Sequence, residues 1–282
     1  MSSDAIPLAA RGQFEEHCRA HASAVYVGGG TVLCRVLGRF LCYVDGDDAA
    51  VAPHLAIDGF WESWNCVALA GHVRRGWRVV DAGANHGYFT LLLAHLVGPD
   101  GRVFAVEPNP RLFELLRRTV KVNGFDDRVT LLPYAAAATE GEAELAVPRG
   151  FSGDGSIEHG TSGPCTVCRV RRRRLDTLID EPVDFLKIDA EGADYDVLEG
   201  ACGLIRDDRR VDAMLEHHAP FHARPAERLR HVADRGFTLH SVEPEGDLHP
   251  RTIEDIGAQR ARFWNLWLTH EPLEQGHADG RE

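Results

Sequence analysis

VVDAGANHGYFTLL, residues 79–92, holds three signals in succession. Val79 and Val80 read as the end of a buried strand, 81–87 as a tight glycine-bearing turn, and 88–92 as the start of an apolar helix. Strand, glycine turn and helix together cradle a nucleotide-like ligand. Gly83 and Gly87 let the backbone bend sharply and approach the ligand with no Cβ in the way. In an open parallel sheet such a ligand lies beyond the carboxyl ends of the strands, beside the first one.

Outward from this stretch the chain alternates. Strands are expected at 78–82, 103–107, 129–132, 185–189 and 213–216, and helices at 86–97, 110–123, 194–204 and 225–235. The second helix has Pro110 after Asn109 at its start and Asn123-Gly124 at its end. Such a rhythm builds an α/β domain on a parallel sheet. Near the C-terminus, FTLHSVEP and RFWNLWLTHEP follow each other with only a polar segment between them, which predicts an antiparallel hairpin at the sheet edge. The segment GEAELAVP…CTVCRVRRRRLDTL reads as an inserted strand pair around a glycine-rich loop. Before the alternation come a weak helix at 14–24, strands at 32–37 and 40–44 joined at Gly38, and a Trp-bearing helix. The expected organisation is an N-terminal cap, 1–70, and a catalytic domain, 71–282.

At 282 residues and 44% hydrophobic, the chain suits one large domain with an appendage. No apolar run reaches the roughly 18 residues that span a bilayer. MSSDAIPLAARGQFEEHCR lacks the basic start and apolar stretch of a secretory signal, so the expected location is cytoplasmic. A formal charge of -12 disfavours a nucleic-acid substrate. Seven scattered cysteines do not form a disulfide framework, and Cys165 and Cys168 of CTVC read as half-buried strand residues.

Nicotinamide cofactors favour G-x-G-x-x-G, with the pyrophosphate on the helix N-terminus. Here the turn is G-A-N-H-G, and Asp81 stands directly before it. A carboxylate there repels a pyrophosphate and suits a cationic ligand such as S-adenosyl-L-methionine, which carries a sulfonium and no phosphate. Glu107, ending the second strand, is placed to accept ribose hydroxyls. The blander reading makes both acids structural caps.

VVDAGANHGYFTLLLA, VFAVEPNPRLFELLRRTVKVNG, GDGSI, RRLDTL and VDFLKIDAEGADYDVLEGA resemble, in order, the FkbM-type S-adenosylmethionine-dependent methyltransferases, over about residues 77–217. The resemblance implies a Rossmann-like class I methyltransferase fold, with a mostly parallel seven-stranded sheet and an antiparallel last strand. It also implies O-methylation of a small-molecule hydroxyl, on a sugar or a natural-product scaffold, with S-adenosyl-L-homocysteine as product. Candidate cofactor contacts are Asp81, Gly83, Asn85, Gly87, Tyr88, Glu107, Pro108, Asn109, Ala135, Ser156 and Asp189.

The fourth strand ends KIDAEGADYD, which puts Asp189 and Glu191 at the rim, without the Asn/Asp-Pro-Pro-aromatic tetrapeptide typical of amine methylation. AMLEHH brings Glu216, His217 and His218 to the same edge. His217 is the preferred general base, oriented by Glu191 or Glu216, against the alternative that these are solvated loop histidines. A divalent metal on Asp189, Glu191 and Glu216 is conceivable but not favoured. Arg169–Arg174 reads as a solvated strand edge, or more sharply as a contact for an acidic substrate. The loop 152–163 is expected to close over the cofactor. Expected partners are a small hydroxyl substrate, no nucleic acid and no membrane. The Trp-rich stretch 60–67 is read as packing the cap, with pocket lining or a homodimer contact as its other uses. Competing functions are an NAD-dependent oxidoreductase and a non-catalytic S-adenosylmethionine-binding protein.

Overall fold

A computed structural model describes residues 6–157, 163–205, 211–222 and 224–270. The cap comes first: α1 (Arg11–His21), the antiparallel strands β1 (Ser23–Gly28), β2 (Thr31–Val36) and β3 (Phe40–Asp45), then α2 (Val51–Ile57) and α3 (Ser63–His72). β2 and β3 match the expected pair. They turn over residues 37–39, with Leu37 and Gly38 both at positive φ (55° and 67°) and the Arg39 N–H bonded to the Val36 carbonyl. β1 escaped the sequence reading because all six of its residues are exposed and leave no alternation to detect.

The alternating unit supplies β4 (Arg78–Ala82), α4 (Tyr88–Val97), β5 (Arg102–Val106), α5 (Pro110–Val122) and β6 (Val129–Leu132). A side sheet follows, β7 (Ala135–Ala136), β8 (Gly141–Pro148) and β9 (Cys165–Arg173), with order β7-β9-β8. Then come α6 (Leu175–Leu178), β10 (Phe185–Ile188), α7 (Asp194–Gly200), β11 (Asp212–His218), α8 (Pro225–Asp234), β12 (Thr238–Val242), β13 (Leu248–Arg251), α9 (Ile253–Ala258) and β14 (Phe263–Thr269).

The central sheet runs β13-β12-β14-β11-β10-β4-β5-β6. It is Rossmann-like, parallel from β11 to β6. β14, the last of the described strands, is antiparallel to both neighbours. The two terminal stretches, β12 and β14, pair antiparallel as expected, but β13 lies outside them at the edge, and the described sheet has eight strands rather than seven. The physical reason is burial. Trp264, Leu266, Trp267 and Leu268 are all buried, so β14 needs cover on both faces and inserts between β11 and β12. β13, exposed and carrying Pro250, takes the edge, where a missing N–H costs no ladder bond.

Side-chain parity sorts the core. Val79 points to the face covered by α4 and the cap, whereas Val80 and Ala82 point to the face covered by α7 and α8. Phe14, Leu55, Cys66 and Leu69 of the cap share one cluster with Leu91, Leu92 and Leu93 of α4. The expected boundary at 70 falls inside α3.

Candidate active site

Gly83 follows β4 because nothing larger fits. Its φ is +81°, and a Cβ there would run into the carbonyl oxygen of Asp189. The segments after β4 and β10 thus pass in backbone contact. Gly87, at φ +94°, starts α4, where a Cβ would lie 2.7 Å from Leu116 Cδ1. Between them Asn85 takes φ +52°, which asparagine tolerates better than most residues. That bend aims its N–H at Glu107 Oε2, 2.8 Å away.

Glu107 lies one residue past β5 and is buried. Its Oε1 accepts the Asn109 N–H at 2.8 Å. Burial pushes the carboxyl up to about 7, against the pull of the two backbone N–H groups. Each oxygen accepts one backbone bond and keeps a lone pair for a further donor, which suits two adjacent ribose hydroxyls.

This carboxylate sits in a cleft of about 670 Å³. Tyr134, Ala135, Leu145 and Ile157 give it an apolar part of its lining, and Asp189 and Glu191 line it as well. No Lys or Arg side chain lines it among the described residues. The glycine-rich loop crosses it, as far as it is described. Ser152 Oγ donates to Asp48 Oδ2 at 2.9 Å, and the Ser152 carbonyl accepts from Asn109 Nδ2 at 3.2 Å. Ser156 Oγ donates to the Glu191 carbonyl at 3.1 Å, so Ser156 holds the wall rather than forming it. The part of that loop at 158–162 lies outside the described residues.

Asp81 is not where the sequence argument needs it. Fully buried, it accepts from Thr90 Oγ1 at 2.6 Å and lies 3.4 Å from Lys187 Nζ. Its side chain leaves β4 toward the cap face, beneath Phe89, whose ring centre is 4.7 Å from Lys187 Nζ. Burial raises the Asp81 carboxyl and Lys187 counters it. The charge that disfavours a pyrophosphate comes instead from Asp189 and from Glu107 where ionised, in a lining without a Lys or Arg side chain. Lys187 itself was missed by the sequence reading. Burial works against its charge, yet Asp189, Asp81 and Glu62 hold its pKa above the ordinary value.

Asp189, 3.2 Å from Lys187 Nζ, lines three cavities. Besides the large cleft there is one of about 340 Å³ among Val51, Trp61, Asn85, His86, Tyr88 and Phe89. Another, of about 280 Å³, lies among Glu62, Asn65, Lys187, Glu216 and Asn265. Trp61 therefore packs the cap and also lines a cavity. Glu191 is held at φ +48°, a strained conformation of the kind found at working sites. Burial raises both Glu191 and Glu216, and Asp189 raises them further.

His217 does not join this group. It alternates to the opposite face of β11, is 1% exposed, and its Nδ1 is 2.7 Å from Tyr195 Oη of α7. Its ring stacks on His222, and burial lowers its pKa to about 4. Pro108 and Asn109 line the large cleft and Tyr88 the second cavity, whereas Gly87 shapes the turn without lining either. None of 169–174 lines the three cavities: Arg173 pairs with Glu140, and Arg174 with Asp176. Among the described residues no three His, Cys, Asp or Glu side chains are grouped to hold a metal ion.

A dinucleotide would bring its pyrophosphate to a lining of carboxylates. S-adenosylmethionine brings hydroxyls for Glu107 and a positive charge for a lining that holds Asp189 and Glu191 and no Lys or Arg side chain, and the residues fit it. Sheet and cleft together define a Rossmann-like, S-adenosylmethionine-dependent methyltransferase. The particular family is also identified: the Methyltransferase FkbM domain matches residues 81–243, more than half the chain, and the chain belongs to that family. It is 40% identical over 63 residues to the protein-L-isoaspartate O-methyltransferase of Ignicoccus hospitalis, covering 22% of this chain and 29% of that protein. With the catechol O-methyltransferase of Mycobacterium tuberculosis it shares 34% identity over 92 residues, 33% of this chain and 41% of that one. The chain thus matches well under half the length of these curated relatives. A solved FkbM methyltransferase from Methylobacillus flagellatus KT superposes with a TM-score of 0.42 at 18% identity, covering 68% of this chain and 43% of that chain.

Proposed function

We propose that the protein methylates a hydroxyl of a small molecule, a glycoside or a natural-product scaffold. The observation that carries this reading is the pair Glu191 and Glu216, two half-buried carboxyls with raised pKa beside Asp189, which lines all three cavities. S-adenosylmethionine supplies a methyl group on a cationic sulfur. An unactivated hydroxyl must lose its proton as its oxygen becomes an ether, and a positioned base contributes about 10²–10⁴-fold to such a step.

Glu191 is the base in this reading. A cationic ligand beside it offsets the repulsion from Asp189 and favours its ionised form. Once the positive charge is consumed, the repulsion returns and the carboxyl retains the proton it has taken. Glu216 borders the acceptor side, and Asp189, tied to Lys187, orients the junction. The cap and the 152–157 segment exclude water, leaving alignment as the larger part of catalysis.

The test is release of S-adenosylhomocysteine against a panel of glycosides, phenols and amines, using the wild type and Glu191→Gln. Expected is turnover of hydroxyl acceptors and a fall in kcat of roughly 10²–10⁴-fold in the variant at saturating cofactor. Exclusive methylation of amines, or undiminished kcat in Glu191→Gln, would overturn the reading.

A further inference from the structure

Across the sheet from β10, past β11 and β14, lies a groove beside the edge strand. Its lining includes Val67, Gly71 and His72 of α3, His240 of β12, and Leu248 and Pro250 of β13. It shares no lining residue with the cavities around Asp189 and is larger than all of them together. Two glycines shape it. Gly246, at φ +92°, brings the β12–β13 turn against α3, where a Cβ would lie 2.6 Å from Val67 Cβ. One helical turn beyond Val67, a Cβ on Gly71 would meet nothing within 4 Å. α3 thus rests on the turn at Val67 and leaves open space at Gly71.

Register sets Lys187, Met214, Trp267 and His240 in one row on the cap face. Met214 and Trp267 are core residues, and the row reaches the groove at His240, which is 5% exposed. His240 Nδ1 has no hydrogen-bond partner, and neither has Nε1 of its register neighbour Trp267. Burial holds the His240 imidazole below its ordinary pKa, so the ring is neutral, with one nitrogen a donor and the other an acceptor. His72, whose ring centre is 4.8 Å from that of Trp267, donates from Nδ1 to the Ala68 carbonyl at 2.9 Å. When neutral it keeps a lone pair on Nε2. A buried imidazole without a partner is costly, and one in the wall of an open groove is left for a ligand.

We propose that this groove is a second ligand site, separate from the cofactor cleft, and that it takes an apolar molecule bearing a hydroxyl, with the hydroxyl at the two imidazoles and the apolar body along Val67, Leu248 and Pro250. Charge selects against other head groups. The charged side chains in the lining are Asp247 and Arg251. Arg251 is committed to Ser241 at 2.7 Å and to Glu243 at 2.6 Å, so a carboxylate or a phosphate meets no free Lys or Arg among the described residues. Asp247 is exposed, and water weakens its pull on an ammonium. A bare hydrocarbon would cover Val67 and Leu248 and strand His240. A hydroxyl both donates and accepts, so it satisfies the ring in either tautomer.

Saturation-transfer NMR at pH 8, on the enzyme with S-adenosylhomocysteine, compares benzyl alcohol with benzoate, benzylamine and toluene. Contact with benzyl alcohol should exceed that with the other compounds and should vanish in Gly71→Leu, whose side chain enters the open space away from the cofactor cleft. Affinity for S-adenosylhomocysteine and melting temperature should hold in that variant, so a lost signal is not unfolding. His240→Phe keeps a ring and removes its hydrogen bonds. It should weaken benzyl alcohol roughly tenfold and leave toluene as it was. Undiminished contact in Gly71→Leu would put the ligand elsewhere and overturn the site. Preference for benzoate, benzylamine or toluene, or no contact with benzyl alcohol, would overturn it as well. Light scattering checks for a second copy: a dimer that Gly71→Leu splits would make the groove a contact between two chains and remove the ligand site.

Discussion

Lys187→Met removes a buried cation and keeps most of its stem. Lys187 is 2% exposed, with Nζ 3.4 Å from Asp81 Oδ1 and 3.2 Å from Asp189 Oδ2. Methionine fills the same channel beneath Phe89, so little cavity cost arises. What remains is Asp81, fully buried, with one hydrogen bond from Thr90 and no cation. Removing one partner of a buried pair costs about 3–5 kcal/mol. At about 2–4 °C per kcal/mol for a chain of this size, the melting temperature should fall by roughly 6–20 °C. Burial already raises the Asp81 carboxyl, and losing Lys187 raises it further. A raised carboxyl penalises folding fully above its folded pKa, and the penalty fades as pH falls toward the unfolded value near 4. Calorimetry at pH 8 and pH 5 should therefore show the deficit shrinking with acid. Asp81→Asn in the same chain neutralises the orphan and should recover most of the loss, with a coupling of about 2 kcal/mol or more. A single variant within about 1 kcal/mol of wild type at pH 8, or a double variant no better than the single, would refute the reasoning.

Glu107→Gln keeps the shape and loses the charge that accepts hydroxyls. Hydrogen bonds to charged groups contribute about 1.5–3 kcal/mol, so the Kd for S-adenosylmethionine should rise roughly 10–150-fold by titration calorimetry. Because the Glu107 carboxyl titrates at about 7 and binds hydroxyls as the carboxylate, wild-type affinity should climb from pH 6 to pH 8. An equally steep climb in Glu107→Gln counts against the ribose role. Asp48→Ala releases Ser152 and Gly153 from the cap and uncaps the first N–H groups of α2. Stopped-flow should find faster cofactor release, at a stability cost of about 1 kcal/mol; an unchanged release rate would mean the loop is held by its other contacts. His217→Phe, which breaks only the bond to Tyr195, should leave the pH–rate profile intact, and a kcat loss matching that of Glu191→Gln would restore it as the base.

Periodicity made the central sheet legible because β4, β5 and β10 are buried and because single helices join β4 to β5, β5 to β6 and β10 to β11. The same patterning cannot order strands that meet only in space. FTLHSVEP and RFWNLWLTHEP do pair antiparallel, but their order in sequence does not tell which of them lies inside the sheet or that β13 takes the edge. The density of buried aromatics and leucines in β14 was the signal for an interior position. The cavity beside Glu216 was opaque for a different reason. Glu62 and Asn65 come from a helix whose polar residues face a sheet edge more than a hundred residues later in the chain, and no spacing records that meeting.

The cofactor site shows where strand register carries information that motif spacing does not. Written in register, VVDAG of β4 lies beside VFAVE of β5 and FLKID of β10, so Asp81 is level with Ala105 and Lys187. Two residues further out, Glu107 and Asp189 come level with Gly83. The inner row is sealed by side chains on both faces, so its two charges must neutralise each other. The outer row clears the sheet, so its two carboxylates stand on either side of a glycine that leaves room between them. Asp81 and Glu107 read alike as acids closing successive strands, yet one residue pair of register separates a buried ion pair from a ligand contact. The lysine in FLKID was the readable clue, because a cation in a strand covered on both faces requires an acid in its own row, and VVDAG supplies it. Assigned that way, Asp81 leaves the binding argument, and the preference for S-adenosylmethionine follows from Glu107 and Asp189 instead.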